Sequence, residues 1–156
     1  MKWKVLFLCP TNGLHSLIAE ALLRRTDPEH FEAMSAGTSC GRLHSLTVEV
    51  MKEIGIDLGR KVPKAVQELA ADQFDYVISL GERATSQGRD FGSAELIHWK
   101  FDDLVAISDD PEKQLRAFRM VRDQIAQRLD LFVLVLAGLP PSELLYLQLR
   151  PPGKSR

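Results

Sequence analysis

Cys9 is the residue that most invites a chemical reading. It follows the apolar run Val5-Leu6-Phe7-Leu8 and precedes the turn-forming group Pro10-Thr11-Asn12-Gly13, after which helical spacing begins near His15 or Ser16. Strand, tight loop and helix in that order place the thiol at the carboxyl end of a strand, where open parallel sheets hold their ligands. A loop wrapping back over Cys9 aims successive backbone N–H groups at one point, and the helix adds the positive end of its dipole. Such a cradle binds phosphate-like anions and stabilises a thiolate, drawing the cysteine pKa well below that of an ordinary thiol. Nucleophile and anion site would then coincide. The plainer alternative is a small buried hydrophobe closing a strand, the commoner fate of a lone cysteine.

Other polar residues offer less. His30, His44 and His98 are scattered, with no paired Cys, His or Glu at ligand spacing, so no metal site and no cofactor is expected. Arg60, Lys61 and Lys64 read as a solvated loop face rather than a dock for a phosphoprotein.

Holding Cys9 in place requires a frame, and the chain pattern supplies one. Val5–Leu8 is β-preferring and continuous, as expected of a central strand covered on both faces. The helix from Ser16 carries Leu17, Ile18, Ala21 and Leu22 inward and Glu20, Arg24 and Arg25 outward. Phe31–Ser35 reads as a second strand ending in Ala36-Gly37-Thr38, and Ser45–Ile54 as a helix stopped by Gly55. Val66–Ala71 suits a further helix, Asp75–Leu80 and Glu95–Trp99 two more strands. A last helix is expected from about Asp110 to Phe132 or beyond, with Leu115, Phe118, Val121, Ile125 and Leu129 inward. Strands separated by helices imply right-handed βαβ units and a three-layer α/β/α sandwich around a four-stranded parallel sheet.

The 156 residues carry 20 Lys plus Arg against 21 Asp plus Glu, a net charge of −1. That balance argues against a nucleic-acid binder and against a disordered chain. A single domain over residues 1–139 is expected, with 140–156 as a carboxyl-terminal extension: Pro140-Pro141 breaks the chain, Ser142–Leu149 suits a short apolar helix and Pro151–Arg156 a frayed tail. Leu144, Leu145, Leu147 and Leu149 suit either a cover for the core or contact with a second subunit. The apolar run Leu129–Leu139 contains Asp130 and is too short to span a bilayer, and the basic start at Lys2 and Lys4 is too short for a signal peptide. With two cysteines and no CxxC, the chain reads as cytoplasmic, without membrane contact.

The segment from Cys9-Pro10-Thr11-Asn12-Gly13-Leu14-His15-Ser16 to Ala21 resembles the signature loop of the low-molecular-weight protein tyrosine phosphatases and of the related thioredoxin-coupled arsenate reductases. Ser35–Thr38, Val48–Asp57 and Phe74–Ile78 are similar to the same superfamily, whereas His98–Asp103 and Phe118–Ile125 resemble the arsenate reductase branch. The resemblance covers about Val5 to Phe132. It implies a Cys9 thiolate that attacks the phosphorus of a phosphotyrosine or the arsenic of arsenate. It further implies Ser16 as hydroxyl donor to the thiolate, Thr11, Asn12, Gly13, Leu14 and position 15 as the anion-holding loop, and Asp103 as general acid. Asp102 is the alternative acid and Asp110 a more distant one.

Two departures qualify the resemblance. The family's phosphate-binding arginine, six residues after the cysteine, is His15 here, and the proline expected after the acid is Leu104. Arginine offers a permanently charged fork, histidine one donor toward the anion; losing such a donor costs about 2.7–4 kcal/mol in the transition state. His15 as an imidazolium, or a nearby arginine such as Arg42, are the compensations that the sequence offers. The arsenate reductase relay also needs two further cysteines after Leu80, and Gly81–Gly88 contains neither. Cys40 is left as a candidate resolving thiol for Cys9. A thioredoxin-like protein or a small thiol would otherwise supply the electrons. The leading expectation is an arsenate reductase-like protein acting on a tetrahedral oxyanion without the internal relay. The alternatives are a low-molecular-weight aryl phosphatase and a degenerate relative that binds an anion or a partner without turnover.

Overall fold

The computed structural model of the protein describes residues 2–11, 14–39, 41–69, 72–81, 91–102, 104 and 109–137. Four parallel strands, β1 (Trp3–Thr11), β2 (Phe31–Ser39), β3 (Tyr76–Leu80) and β4 (Glu95–Trp99), form one sheet in the order β2-β1-β3-β4. The apolar run of β1 is explained by its place between two neighbours: alternate side chains leave the sheet on opposite faces, and both faces are covered. Val5 and Phe7 join Ile18, Leu22, Val50 and Phe118, contributed by α1 (His15–Thr26), α2 (Ser45–Lys52) and α3 (Pro111–Ala137). Leu6 and Leu8 join Ala36, Val66, Leu69, Phe74 and Phe91 on the other face. The expected three layers are therefore present, the second outer layer being thinner among the described residues.

Local chemistry explains the element ends. Gly55, at φ +84°, closes α2: its N–H reaches the Lys52 carbonyl at 3.0 Å while Ile56 N–H reaches that of Met51 at 2.9 Å, which satisfies the last carbonyls of the helix. His44 Nδ1 accepts from Leu46 N–H at 3.1 Å and caps the other end of α2. Asp110, a distant candidate acid by sequence, accepts from Glu112 N–H at 3.0 Å ahead of Pro111, the first residue of α3.

Several expectations are corrected. Of the helix expected over Val66–Ala71, the described part, Val66–Leu69, is a 3-10 turn with Glu68 Oε2 accepting from Ala65 N–H at 2.8 Å, and Ala70 and Ala71 lie outside the described residues. β2 runs on to Ser39 because Gly37 and Ser39 pair with Cys9 and Thr11 of a longer β1. Glu20, expected on the outer face of α1, is only 2% exposed. Arg24 Nη2 lies 3.4 Å from its Oε1 and Lys61 Nζ 3.0 Å from its Oε2, so two cations cover the carboxylate. Lys61 is thereby drawn out of the solvated loop face expected of it.

Helices α2 and α3 are tied by charge as well as by packing. Buried Arg122 donates to the Val50 carbonyl at 2.8 Å and to Glu53 Oε1 at 2.9 Å, while Arg119 donates to Glu53 Oε2 through Nε at 2.9 Å and Nη2 at 2.6 Å. The Arg119 hydrogen bonds, helped by Arg122 and opposed by burial, hold the Glu53 carboxyl below the ordinary glutamate range. Among the described residues, no helix is long and apolar enough to cross a membrane.

Candidate active site

β1 outruns β3. Its register with β3 ends at Leu8 opposite Ser79, whereas its register with β2 continues through Cys9 opposite Gly37 to Thr11 opposite Ser39. Cys9 therefore stands where the sheet narrows, at the carboxyl edge of an interior strand. Pro10, which has no N–H for a ladder, is tolerated in this stretch, and its carbonyl accepts from Thr38 Oγ1 at 3.2 Å.

The next element returns to the same point. Cys9 Sγ lies 2.8 Å from Ser16 Oγ, with both side chains essentially inaccessible to solvent. Ser16 is the second residue of α1, so the sulfur sits beside the helix turn whose first N–H groups lack intrahelical partners. Toward a thiolate the hydroxyl can only donate, and such a donor, like the helix amino terminus, favours a negative sulfur over a neutral one. Leu14 occupies the residue before the helix, without a side-chain cap, and packs against the main core.

His15 turns another way. Its ring is 5% exposed, its Nε2 lies 3.0 Å from the backbone carbonyl oxygen of Asp102, and it stacks on Phe101 with ring centroids 6.2 Å apart and planes 17° from parallel. A carbonyl can only accept, so Nε2 carries the proton. The segment that follows β4 is held from below as well: Phe101 N–H donates to the Gly81 carbonyl at 3.3 Å, and Leu104 is fully buried. Asp102 is itself exposed and borders a cleft of about 270 Å³ against α3, lined also by Lys113, Arg116 and Met120.

The sequence-derived residues thus fall into groups. Cys9, Leu14, His15 and Ser16 meet at the junction of β1 and α1, Thr11 is the last residue of β1, and Asp102 joins through His15. Asn12, Gly13, Cys40, Asp103 and the 140–156 extension lie outside the described residues. Arg42 is exposed ahead of α2. His30 pairs with Asp27 at 2.9 Å and His98 with Ser79 at 2.9 Å, in separate places. The contact that the spacing could not announce is His15 to Asp102, whose partners are 87 residues apart.

Comparison with known proteins agrees with this geometry. The sequence model of a family described as low molecular weight phosphotyrosine protein phosphatase matches residues 4–138. An arsenate reductase of Halalkalibacterium halodurans is 30% identical over 129 residues, covering 82% of this chain and 93% of that protein. A glutaredoxin arsenate reductase of Synechocystis is 28% identical, covering 81% and 93%. A solved structure described as an arsenate reductase in the phosphate binding state superposes with a TM-score of 0.70 at 27% identity, covering 90% of this chain and all of that one.

Proposed function

This chain belongs to the low molecular weight phosphotyrosine protein phosphatase family, and from that premise we propose that it reduces arsenate, or a like tetrahedral oxyanion, with Cys9 as nucleophile and electrons from an external thiol. The observation that carries the reading is the buried Cys9–Ser16 contact of 2.8 Å at the first turn of α1, supported by relatives named arsenate reductase.

The Cys9 thiolate attacks arsenic, an S–As bond forms, and an As–O bond breaks. The departing oxygen leaves as water, protonated by a carboxylic acid for which Asp103 is the first choice and Asp102 the second. An incoming thiol then attacks Cys9 Sγ. Its sulfur bonds to Sγ, the S–As electron pair stays on arsenic, and arsenite departs. A second thiol releases Cys9 and takes the disulfide. Arsenate gains two electrons and the two thiols lose one each. Because the chain has only Cys9 and Cys40, at least one of those thiols comes from outside, from a glutaredoxin- or thioredoxin-like protein or a small thiol.

The test is arsenate-dependent NADPH consumption with a thioredoxin system and, separately, with glutathione and glutaredoxin. Turnover that vanishes in Cys9→Ser and survives in Cys40→Ser is expected. A Cys40→Ser variant as dead as Cys9→Ser would make Cys40 the resolving thiol. Absence of arsenate-dependent turnover with either system overturns the reduction. Hydrolysis needs no second thiol, which suits a two-cysteine chain, so Cys9-dependent cleavage of p-nitrophenyl phosphate in that case would make the protein an aryl phosphatase.

A further inference from the structure

We propose that His15 is a positioning residue: through Nε2–H donated to the Asp102 carbonyl it clamps the carboxylate-bearing segment after β4 to the first turn of α1, and it does not hold the oxyanion. The inference rests on the oxyanion chemistry proposed above, and its geometry is specific. His15 and Ser16 are consecutive residues at the start of α1. Ser16 Oγ meets the Cys9 sulfur at 2.8 Å, and His15 Nε2 meets the Asp102 carbonyl at 3.0 Å. One helical turn therefore holds both the Cys9 sulfur and the backbone of Asp102, a candidate acid.

The imidazole is committed to this duty by more than one contact. It lies nearly parallel to Phe101 and is 5% exposed, so rotating it toward a bound anion would break the hydrogen bond and uncover the Phe101 face. Among the described residues the segment is also held by Phe101, whose ring lies in the core and whose N–H reaches the Gly81 carbonyl at 3.3 Å, and by buried Leu104, so the clamp adds the direct tie to α1. A general acid displaced by about 1 Å loses about a hundredfold in rate, so a clamp of this kind acts on turnover rather than on affinity.

Hydrogen exchange of the peptide spanning Lys100–Leu104, and calorimetry with inorganic phosphate, read the two assignments separately and need no turnover. His15→Ala should exchange that peptide about tenfold faster, His15→Gln, whose amide can donate, should restore it to within about threefold, and both should bind phosphate within about threefold of the parent. In the arsenate assay the His15→Ala turnover number should fall about tenfold or more with KM little changed. If His15→Ala does not fold, His15→Leu, which fills the space on Phe101 without a donor, takes its place. Unchanged exchange overturns the clamp, as does loss of phosphate affinity without a change in exchange, which would make His15 an anion ligand. Faster exchange that His15→Gln fails to restore also overturns it, because the ring and not the donor would then be responsible. If the parent protein binds no phosphate, the oxyanion reading fails while the exchange comparison still decides the clamp.

Discussion

Replacing Ser16 with alanine removes one oxygen from the site and leaves the helix able to form. The hydroxyl is 2.8 Å from the Cys9 sulfur and neither group reaches solvent, so no water can take its place without rearrangement. A hydrogen bond to a charged group contributes about 1.5–3 kcal/mol, and each 1.4 kcal/mol is a tenfold change in an equilibrium constant. When Cys9 is a thiolate the hydroxyl can only donate, and that bond favours the charged form over the thiol. Its loss should lower the thiolate fraction of Cys9, at any pH below its titration, by roughly ten- to a hundredfold. The assay is the ultraviolet absorbance of the thiolate followed against pH in a Cys40→Ser background, with Cys9→Ser as the blank; absorbance suits a sulfur too buried for reagents to report faithfully. The titration midpoint should move to higher pH in Ser16→Ala. An unmoved midpoint would show that the hydroxyl accepts from a neutral thiol, and the electrostatic account of the nucleophile would fall.

Acid should loosen the link between α2 and α3. Glu53 titrates below the ordinary glutamate range because it is charged against Arg119 and Arg122, so its contribution is full above the unfolded-state value and is lost as the pH falls through the lowered folded-state value. Chemical denaturation of Glu53→Gln between about pH 3 and 6 should therefore show a shallower loss of stability on acidification than the parent shows, and equal slopes would refute the assignment. At the other pair, Lys61→Ala should destabilise the fold by roughly 1–3 kcal/mol because it leaves the buried Glu20 with Arg24 as its remaining cation, whereas Glu20→Leu should cost less. Urea midpoints decide between them, and Glu20→Leu proving the worse of the two would mean that the pair stabilises the fold outright.

Legibility followed the range of the interactions. The β1 to α1 junction could be read because its signals lie within a dozen residues: an apolar run, a turn cluster, then a change of period. All four strands were visible for the same reason, and Gly55 ended its helix as its type predicts. Residue type and helical spacing put Glu20 in solvent, whereas its cover comes from Lys61 in a distant loop. Val66–Leu69 has helix-forming residues and Glu68 caps its start at Ala65 N–H, yet it takes the tighter 3-10 form, which residue type and spacing do not distinguish from an α-helix over so few residues. His15 was legible as a departure from an expected arginine, yet its partner lies across the molecule, where no local pattern reaches.

The strand order also bears on synthesis. β1 leaves the ribosome first, and β2 can join it once residue 39 has emerged, but its other neighbour is incomplete until residue 80. At about 5–20 residues per second, the Val5–Leu8 edge waits about 2–8 s for its second partner. During that interval a nascent chain displays an open, unbroken apolar strand edge, the kind of surface that recruits other strands. Cys9 follows this edge and is buried once the sheet is complete, so ribosome-bound chains, rather than the folded protein, are where its thiol is most open to holdase capture and to stray oxidants.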